Sequence, residues 1–344
     1  MQNTEIGKIE KLIIHYVGNK NNGDGVRFSD SLSDFSNTES DILHLISNSF
    51  KSDELFQFYF IPNLELNPIY QFVTGIFQDN NTFVEQSKNC TRLLYDNSAH
   101  PKIKGGEFYT VYFKDCIVDG KTVDAVGLFK SENKDTFLKV YPSGGNFKIE
   151  SQQGVNINKL DKGCLIFNRE QENGYIVAVV DNTNKGAEAQ YWLDDFLHIR
   201  QRKDEYHNTQ NILSLYKSFV KNELPQQFEI SKADQADLIH KSIQFFKEKE
   251  AFNLNEFANE VIRNNDVIEC FNDYKSEYQK EREIDIDDSF QISTSAVKKG
   301  TRTLKNIIKL DKNFDIYIHG NSDLIEQGVD EKGKFYKVYY KEES

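Results

Sequence analysis

The sequence predicts an α+β protein: an N-terminal mixed domain with an antiparallel sheet, then a helical segment and a small C-terminal β module. Strand-like runs between residues 108 and 180 follow one another without intervening helices, which favours antiparallel pairing. Helical spacing of apolar residues dominates 231–278, and strand-like alternation returns after residue 297. Since domains average roughly 150 residues, the 344 residues suggest two domains. We expect these domains to be 1–223 and 224–344, with the boundary at Leu224-Pro225.

The elements of the first domain follow from periodicity and from turn residues. Ile9 to Val17 is apolar enough for a strand, and the polar stretch from Gly18 to Ser40 predicts a long loop or arm. A helix should open at Asn67-Pro68, because proline suits the first turn. The other predicted helices are 82–95, 191–199 and 208–220. The predicted strands, separated by Asp-Gly, Gly-Gly and Asn-Gly turns, are 108–113, 123–129, 136–140, 164–167 and 175–180.

The second domain begins with a sequence typical of a helix start. Ser231 and Asp234 have the spacing of a capping box, and apolar residues recur behind them with helical period. Two further helices are predicted at 255–262 and 266–278. From Val297 onward, alternation through 302–310, 314–318 and 335–340 predicts strands.

Composition excludes several classes of protein. The 26 Phe and 17 Tyr require burial, which argues against global disorder. No apolar run is long enough to span a bilayer, and the N-terminal residues lack the apolar region of a signal peptide, so we expect a cytoplasmic protein without a membrane partner. A net charge of -12 argues against general coating of nucleic acid, which needs a basic surface. The scattered cysteines, expected to be buried apolar residues, are Cys90, Cys116, Cys164 and Cys270.

One segment reverses the overall charge. Residues 297–312 contain six Lys and Arg against one acid, Asp311, which gives a local charge of +5. The candidate nucleic-acid-binding residues within it are Lys298, Lys299, Arg302, Lys305 and Lys309. The last predicted strand also interleaves Lys334, Lys337 and Lys341 with aromatic residues. Lysines can follow a phosphate backbone while nearby rings stack on bases, although a solvated sheet face has the same pattern.

Two alternatives from other classes remain. Asp124 followed by Glu132 and Lys134 is the loose outline of a Mg²⁺-dependent nuclease site. An acidic surface together with aromatic-rich helices between Ser231 and Tyr278 would instead suit a protein-interaction module.

The remaining patterns in the sequence do not indicate a catalytic, metal or cofactor site. Asp194 or Asp195 with His198 could form an acid–base or metal pair, but neighbouring apolar residues favour a core helix with its acids in water. The acids at 285–288 lack the glycine and distal Glu of a calcium loop. The histidines have no metal spacing, and nucleotide-binding, zinc-protease and serine-hydrolase motifs are absent from the sequence. We therefore expect no catalytic residues, metal site or cofactor.

Five phrases in series give a further indication. They are 66–70 (LNPIY), 100–106 (HPKIKGG), 128–132 (LFKSE), 160–167 (LDKGCLIF) and 191–197 (YWLDDFL). With these phrases the chain resembles the bacterial 37-kDa nucleoid-associated protein family (NdpA type), and the residues around 288–290, 303–305 and 314–318 resemble that family's closing module. The resemblance implies a non-enzymatic cytoplasmic protein of the bacterial nucleoid. The protein would associate with DNA directly, or indirectly through other nucleoid proteins. The resemblance brings no catalytic or DNA-contacting residues with it.

Overall fold

A computed structural model describes residues 4–183, 191–303, 307–310, 313–317, 324–340 and 342. The chain divides into two compact units, residues 1–202 and 203–344. The boundary expected from the sequence, at 223/224, lies within the helical part of the second unit. Helices and antiparallel strands are both present throughout, so the α+β prediction is confirmed.

The first unit is organised around a nine-stranded antiparallel sheet. Its main order is β11-β4-β10-β9-β6-β5-β2-β3, and β1 pairs with β5 beside β2. Two further strands, β7 and β8, form a separate hairpin between β6 and β9. The strands of this unit are β1 Thr4–Glu5, β2 Lys8–Val17, β3 Val26–Arg27, β4 Leu55–Phe58, β5 Gly106–Val118, β6 Lys121–Ser131, β7 Asp135–Ser143, β8 Asn146–Gly154, β9 Lys162–Phe167, β10 Ile176–Asp181 and β11 Ile199–Gln201.

Helices cover both faces of the sheet, which is why its central strands are apolar on both sides. On one face, α2 (Pro68–Gln78) and α3 (Phe83–Asn97) pack with a π-helical segment (Tyr191–Leu197) around the buried Trp192. On the other face, α1 (Glu39–Ser49) covers a second apolar cluster. Burying a two-sided sheet supplies the main stabilisation of this unit, since each large apolar side chain contributes about 1.5–3 kcal/mol.

Buried polar side chains link the helices of the first unit to neighbouring segments. Asn67 is fully buried; its side chain accepts from Tyr70 N–H to cap α2 and donates to the Leu197 carbonyl at 2.9 Å. His15 on β2 accepts from Ser29 N–H through Nδ1 at 3.1 Å. Its Nε2 therefore carries the proton and donates to Ser87 Oγ on α3 at 2.9 Å. Burial lowers the His15 pKa to about 4.

The second unit has an aromatic helical core. Tyr216 packs edge-on against Phe257 and Phe271, and Phe245 packs edge-on against Phe257. Phe219, in a π-helical segment at Phe219–Glu223, also packs edge-on against Phe271. The capping box at Ser231 and Asp234 is confirmed, with Asp234 N–H donating to Ser231 Oγ at 3.0 Å. The helices are α4 Glu205–Ser218, α5 Leu224–Gln227, α6 Lys232–Glu248, α7 Leu254–Phe257, α8 Asn265–Arg282 and α9 Thr294–Thr303. The strands, in three antiparallel pairs, are β12 Ala251–Asn253, β13 Ser289–Gln291, β14 Ile307–Leu310, β15 Phe314–Tyr317, β16 Ile325–Asp330 and β17 Gly333–Val338.

The prediction of a strand beginning at Arg302 was wrong, and so was the prediction of strand-like structure from Val297. Residues 294–303 form helix α9, and the next residues that the structure describes, 307–310, form strand β14. The physical reason is that Ala296, Val297 and Gly300 repeat with helical spacing, so they bury one helix face. The predicted segment 191–199 is helical only to Leu197, and Ile199 begins β11.

Candidate nucleic-acid interface

Helix α9 presents the basic segment and forms for local reasons. The helix follows Ser293, whose Oγ accepts from Ala296 N–H at 3.4 Å, a capping contact at the helix start. Ala296 and Val297 are buried. Gly300 lies so close to Leu213 of α4 that an added Cβ would meet its Cδ1 at 2.9 Å. The buried face of α9 is thus fixed against α4, and the opposite face is left to solvent.

That exposed face carries three of the five predicted residues. Lys298, Lys299 and Arg302 are all exposed, and α9 contains no acidic residue. Lys298 and Arg302 are four positions apart, a separation of about 6 Å along the helix, so their charges lie one above the other. Lys299 Nζ lies 5.5 Å from the centre of the Tyr206 ring. The cations also lie toward the helix C-terminus, where the helix dipole favours positive charge.

The other two predicted residues are not placed with these three. Lys305 lies outside the described residues. For Lys309 the backbone is described in β14, but its side chain is not. The hairpin of β14 and β15 pairs Lys309 with Asp315, while the neighbouring Ile308 is buried. The structure therefore brings together Lys298, Lys299 and Arg302, which we call the α9 basic face.

The final hairpin is less suited to phosphate than its sequence suggested. Lys337 pairs across the strands with Glu326, their charged atoms 3.7 Å apart, and lies 4.7 Å from the Tyr339 ring centre. Tyr339 itself donates to Glu326 at 2.8 Å. These contacts raise the Lys337 pKa, chiefly through its hydrogen bond with Tyr339. Tyr340 remains 70% exposed and available for stacking, and Lys341 lies outside the described residues.

The nuclease candidates do not converge. Asp124 lies near the start of β6, where its carboxylate accepts from Tyr112 and Lys114, each at 2.7 Å. Glu132 follows the other end of the same strand, roughly 25 Å away at the usual rise of a strand. Lys134 pairs with Glu107 at 2.5 Å. Among the described residues, no group of three or more His, Cys, Asp and Glu side chains is placed to hold a metal ion.

A comparison with protein-family models gives one match, over residues 13–334. The matching family is described as NA37, nucleoid-associated protein YejK. The chain belongs to this family. The match covers nearly the whole chain, so the nucleoid-associated resemblance expected from the sequence is confirmed. No curated protein matches the chain.

None of the helices among the described residues is long and apolar enough to cross a bilayer. Cys90, Cys116 and Cys164 are buried, as expected of apolar thiols, and Cys270 is half-buried. Burial raises the pKa of all four, to about 12 for Cys90, which disfavours reactive thiolates.

The Asp194–His198 pattern has the structural explanation favoured from the sequence. Trp192 and Phe196 are buried, whereas Asp194 and Asp195 are exposed. His198 packs edge-on against Phe60, with ring centres 4.9 Å apart, and burial lowers its pKa. The two acids and the imidazole therefore do not form a shared buried site.

Sequence reasoning missed a buried charged cluster in the first unit of this nucleoid-associated protein. Lys130 on β6 and Lys162 on β9 are cross-strand neighbours, both fully buried. The Tyr191 ring lies close to both, with its centre 5.7 Å from the Lys130 ammonium group and 5.1 Å from that of Lys162. Burial lowers the Lys130 pKa, while the Glu132 carboxylate at 3.0 Å opposes that shift. Lys162 binds Asp181 at 2.7 Å.

This cluster is best explained as structural. Each ammonium has its own carboxylate, and Tyr191 donates to Glu132 at 2.8 Å, so the buried charges are compensated. The raised Tyr191 pKa, caused first by burial and then by Glu132, keeps the phenol protonated. The signal available in the sequence was a lysine inside an apolar strand, at Lys130 within Leu128–Glu132.

Proposed function

We propose that the chain is a non-enzymatic DNA-binding protein of the bacterial nucleoid, located in the cytoplasm. It contacts the phosphate backbone through the α9 basic face, with Lys305 and Lys309 extending the contact. The observation that supports this most directly is the exposure of Lys298, Lys299 and Arg302 on one acid-free helical face. Membership of the nucleoid-associated family supports the same function.

The overall charge of -12 is compatible with such a contact. At physiological ionic strength the Debye length is about 8 Å. Acidic residues farther than this from α9 are therefore largely screened from phosphates bound at the helix. Two rigidly presented lysines and an arginine can release counterions from DNA locally, and that release supplies sequence-independent affinity.

We expect the α9 basic face to recognise the phosphate backbone of DNA rather than its bases. The α9 basic face offers three cations, and contacts between cations and phosphate oxygens carry no sequence information. We therefore expect weak sequence preference. Duplexes of equal length but different sequence should bind with similar affinity at equal salt.

The test is a titration of labelled duplex DNA with the full chain at low and physiological salt, with Mg²⁺ present and DNA integrity checked afterwards. Binding that weakens with salt and leaves the DNA intact supports the proposal. Cleavage of the DNA would refute the non-enzymatic part. Absence of binding even at low salt would refute direct contact and leave association through a DNA-bound protein.

A further inference from the structure

A cavity lies between α1 and the sheet of the first unit. Its volume is about 240 Å³, whereas an apolar cavity of roughly 150 Å³ is already large enough to bind benzene. Residues of α1, β5 and β6 line it, together with residues of the segment 155–161, which leads from β8 to β9. The space is therefore sufficient for one aromatic ring with a small substituent. We call it the α1 cavity.

The lining of the α1 cavity is mainly apolar and partly aromatic. Ile42 and Leu45 lie on α1, while Tyr109 and Phe129 lie opposite each other on the neighbouring strands β5 and β6. A ligand that packs against these side chains removes apolar surface from water, which is favourable. Aromatic rings also pair favourably with one another, so the two rings of the lining favour an aromatic ligand over an alkyl chain.

One polar group in this lining is buried without a partner. Ser131 lies on the same face of β6 as Phe129 and is 2% exposed, and its Oγ has no hydrogen-bond partner among the described residues. Buried hydroxyl groups are nearly always hydrogen-bonded, because an unpaired one costs free energy. A ligand in the α1 cavity can therefore supply the hydrogen bond that Ser131 lacks.

A second hydroxyl group stands near the first. The register pairs Glu107 with Ser131, which makes Tyr109 a diagonal cross-strand neighbour of Ser131 on the same face. Burial, and then the charge of Glu107, raises the pKa of Tyr109 to about 12, so its phenol stays protonated at neutral pH. The polar groups of this part of the lining are thus uncharged hydroxyls.

The charged residues around the α1 cavity favour a neutral ligand. Asp41 and Lys159 are exposed and carry opposite charges. The Asp161 carboxylate is already bound, since it accepts from the backbone N–H groups of Glu132 at 2.7 Å and Asn133 at 2.8 Å. An anionic ligand would meet two carboxylates and one ammonium group, and a cationic ligand would find no unbound carboxylate inside. Burying a charge without a partner is strongly unfavourable.

We propose that the α1 cavity binds a small neutral aromatic molecule that carries one hydroxyl group. The ring packs among Ile42, Leu45 and Phe129, and the hydroxyl group forms a hydrogen bond with Ser131 Oγ. Because a hydroxyl both donates and accepts, it pairs with the serine in either direction. The site belongs to the first unit, so it does not depend on whether the α9 basic face binds DNA.

The first experiment is a fluorine NMR titration of the full chain with three probes, each up to about 5 mM. The probes are para-fluorophenol, fluorobenzene, which lacks the hydroxyl group, and para-fluorobenzoate, which is charged. We expect para-fluorophenol to saturate with a Kd below about 1 mM, fluorobenzene to bind at least about 3-fold more weakly, and para-fluorobenzoate not to saturate. No saturable binding of para-fluorophenol would overturn the proposal, and so would tighter binding of either other probe.

The second experiment tests the hydrogen bond. Ser131→Ala should weaken para-fluorophenol binding by about 3- to 10-fold, the factor for one uncharged hydrogen bond, and should leave fluorobenzene affinity unchanged. A general distortion of the cavity would instead weaken both probes alike. Equal loss for the two probes, or no loss for para-fluorophenol, would refute the role of Ser131.

The third experiment locates the bound ring. Leu45→Phe fills the α1 cavity and should abolish binding of both uncharged probes. The matched control Leu43→Phe makes the same change on α1 at a residue outside the cavity lining, and should leave both probes bound. Circular dichroism checks that each variant is folded, and the Ser131→Ala comparison stands by itself if Leu45→Phe is not. Binding that survives in folded Leu45→Phe would place the ligand elsewhere and overturn the proposal.

Discussion

Reversing the charge of the α9 basic face should reduce both DNA affinity and its dependence on salt. The perturbation is the triple variant Lys298→Glu/Lys299→Glu/Arg302→Glu. All three side chains are exposed, and the buried residues of α9, Ala296 and Val297, are untouched, so folding should be retained. The one α4 contact that changes is that of Lys299 with the Tyr206 ring. Circular dichroism and the unfolding midpoint check that assumption before any binding is measured.

The magnitude follows from the number of cations presented. Three phosphate contacts give a slope of log affinity against log salt of about -2.7, and hence a loss of about 40-fold between 50 and 200 mM salt. If Lys305 and Lys309 also contact phosphate, five contacts give about -4.5 and about 500-fold. The wild-type slope therefore counts the contacts, and the triple variant should lower its magnitude by about 2.7.

The assay is fluorescence anisotropy of a labelled duplex at five or so salt concentrations. The matched control is Lys51→Glu/Lys121→Glu/Lys247→Glu, which makes the same change in net charge at three exposed, dispersed positions. That control should retain most of the slope. If the triple variant keeps the wild-type slope, or if the control loses as much, then the α9 basic face does not bind the backbone and the reasoning from its geometry fails.

Three further predictions concern stability. The folded-state pKa of His15 is about 4, whereas its ordinary value is 6.5. The stability that neutral His15 contributes is therefore complete above pH 6.5 and is lost as pH falls from 6.5 to 4, by up to about 3 kcal/mol. The difference between the urea unfolding midpoints at pH 7 and pH 5 should accordingly be smaller in His15→Gln than in the wild type. Gly174→Ala should lower the free energy of unfolding by at least about 2 kcal/mol, because φ is +98° and a Cβ would meet the Phe58 carbonyl oxygen at 2.2 Å. The control Gly120→Ala, at a position with positive φ but open space, should lower it by about 1 kcal/mol. Lys130→Met leaves a buried carboxylate unpaired and should cost about 3–5 kcal/mol in thermal or urea unfolding; a loss under 1 kcal/mol would refute the assignment of that pair to structure.

The sequence predicted the sheet of the first unit well because its strands obey local rules. Alternation and Asp-Gly or Gly-Gly turns indicated the strands beginning at Lys121 and Asp135, and proline marked the start of α2. Short strands such as Leu55–Phe58, which lies between β10 and β11, were missed, since four residues give too little periodicity and pairing is decided by partners distant in sequence.

The candidate interface was predicted in composition but not in shape. Charge counting singled out Lys298, Lys299 and Arg302, which the structure places together on the exposed side of α9. Their local structure was mistaken because alternation from Ile307 onward was extended back through residues that pack as a helix. The contact that decides the matter is Gly300 against Leu213, 87 positions earlier in the chain, which no local pattern reveals. The same limit applied to Lys337, whose partner Glu326 lies across a hairpin.

The phrases that identify the family explain why membership supports the fold more strongly than it supports a DNA contact. In the structure they meet at buried polar joints: Asn67 binds the Leu197 carbonyl, and Lys130 binds the Lys104 carbonyl at 2.8 Å. Tyr191 links the same cluster to Glu132. Buried polar groups need these partners, so a substitution in one phrase leaves a buried polar group in another phrase without its hydrogen bond. The phrases therefore hold α2, the sheet and the π-helical segment in register, whereas the α9 basic face belongs to the second unit and shares none of these contacts. Mutations in the phrases should act on unfolding, and mutations in the α9 basic face should act on salt-dependent binding. That separation distinguishes the residues that keep this chain folded from those that we propose to contact DNA.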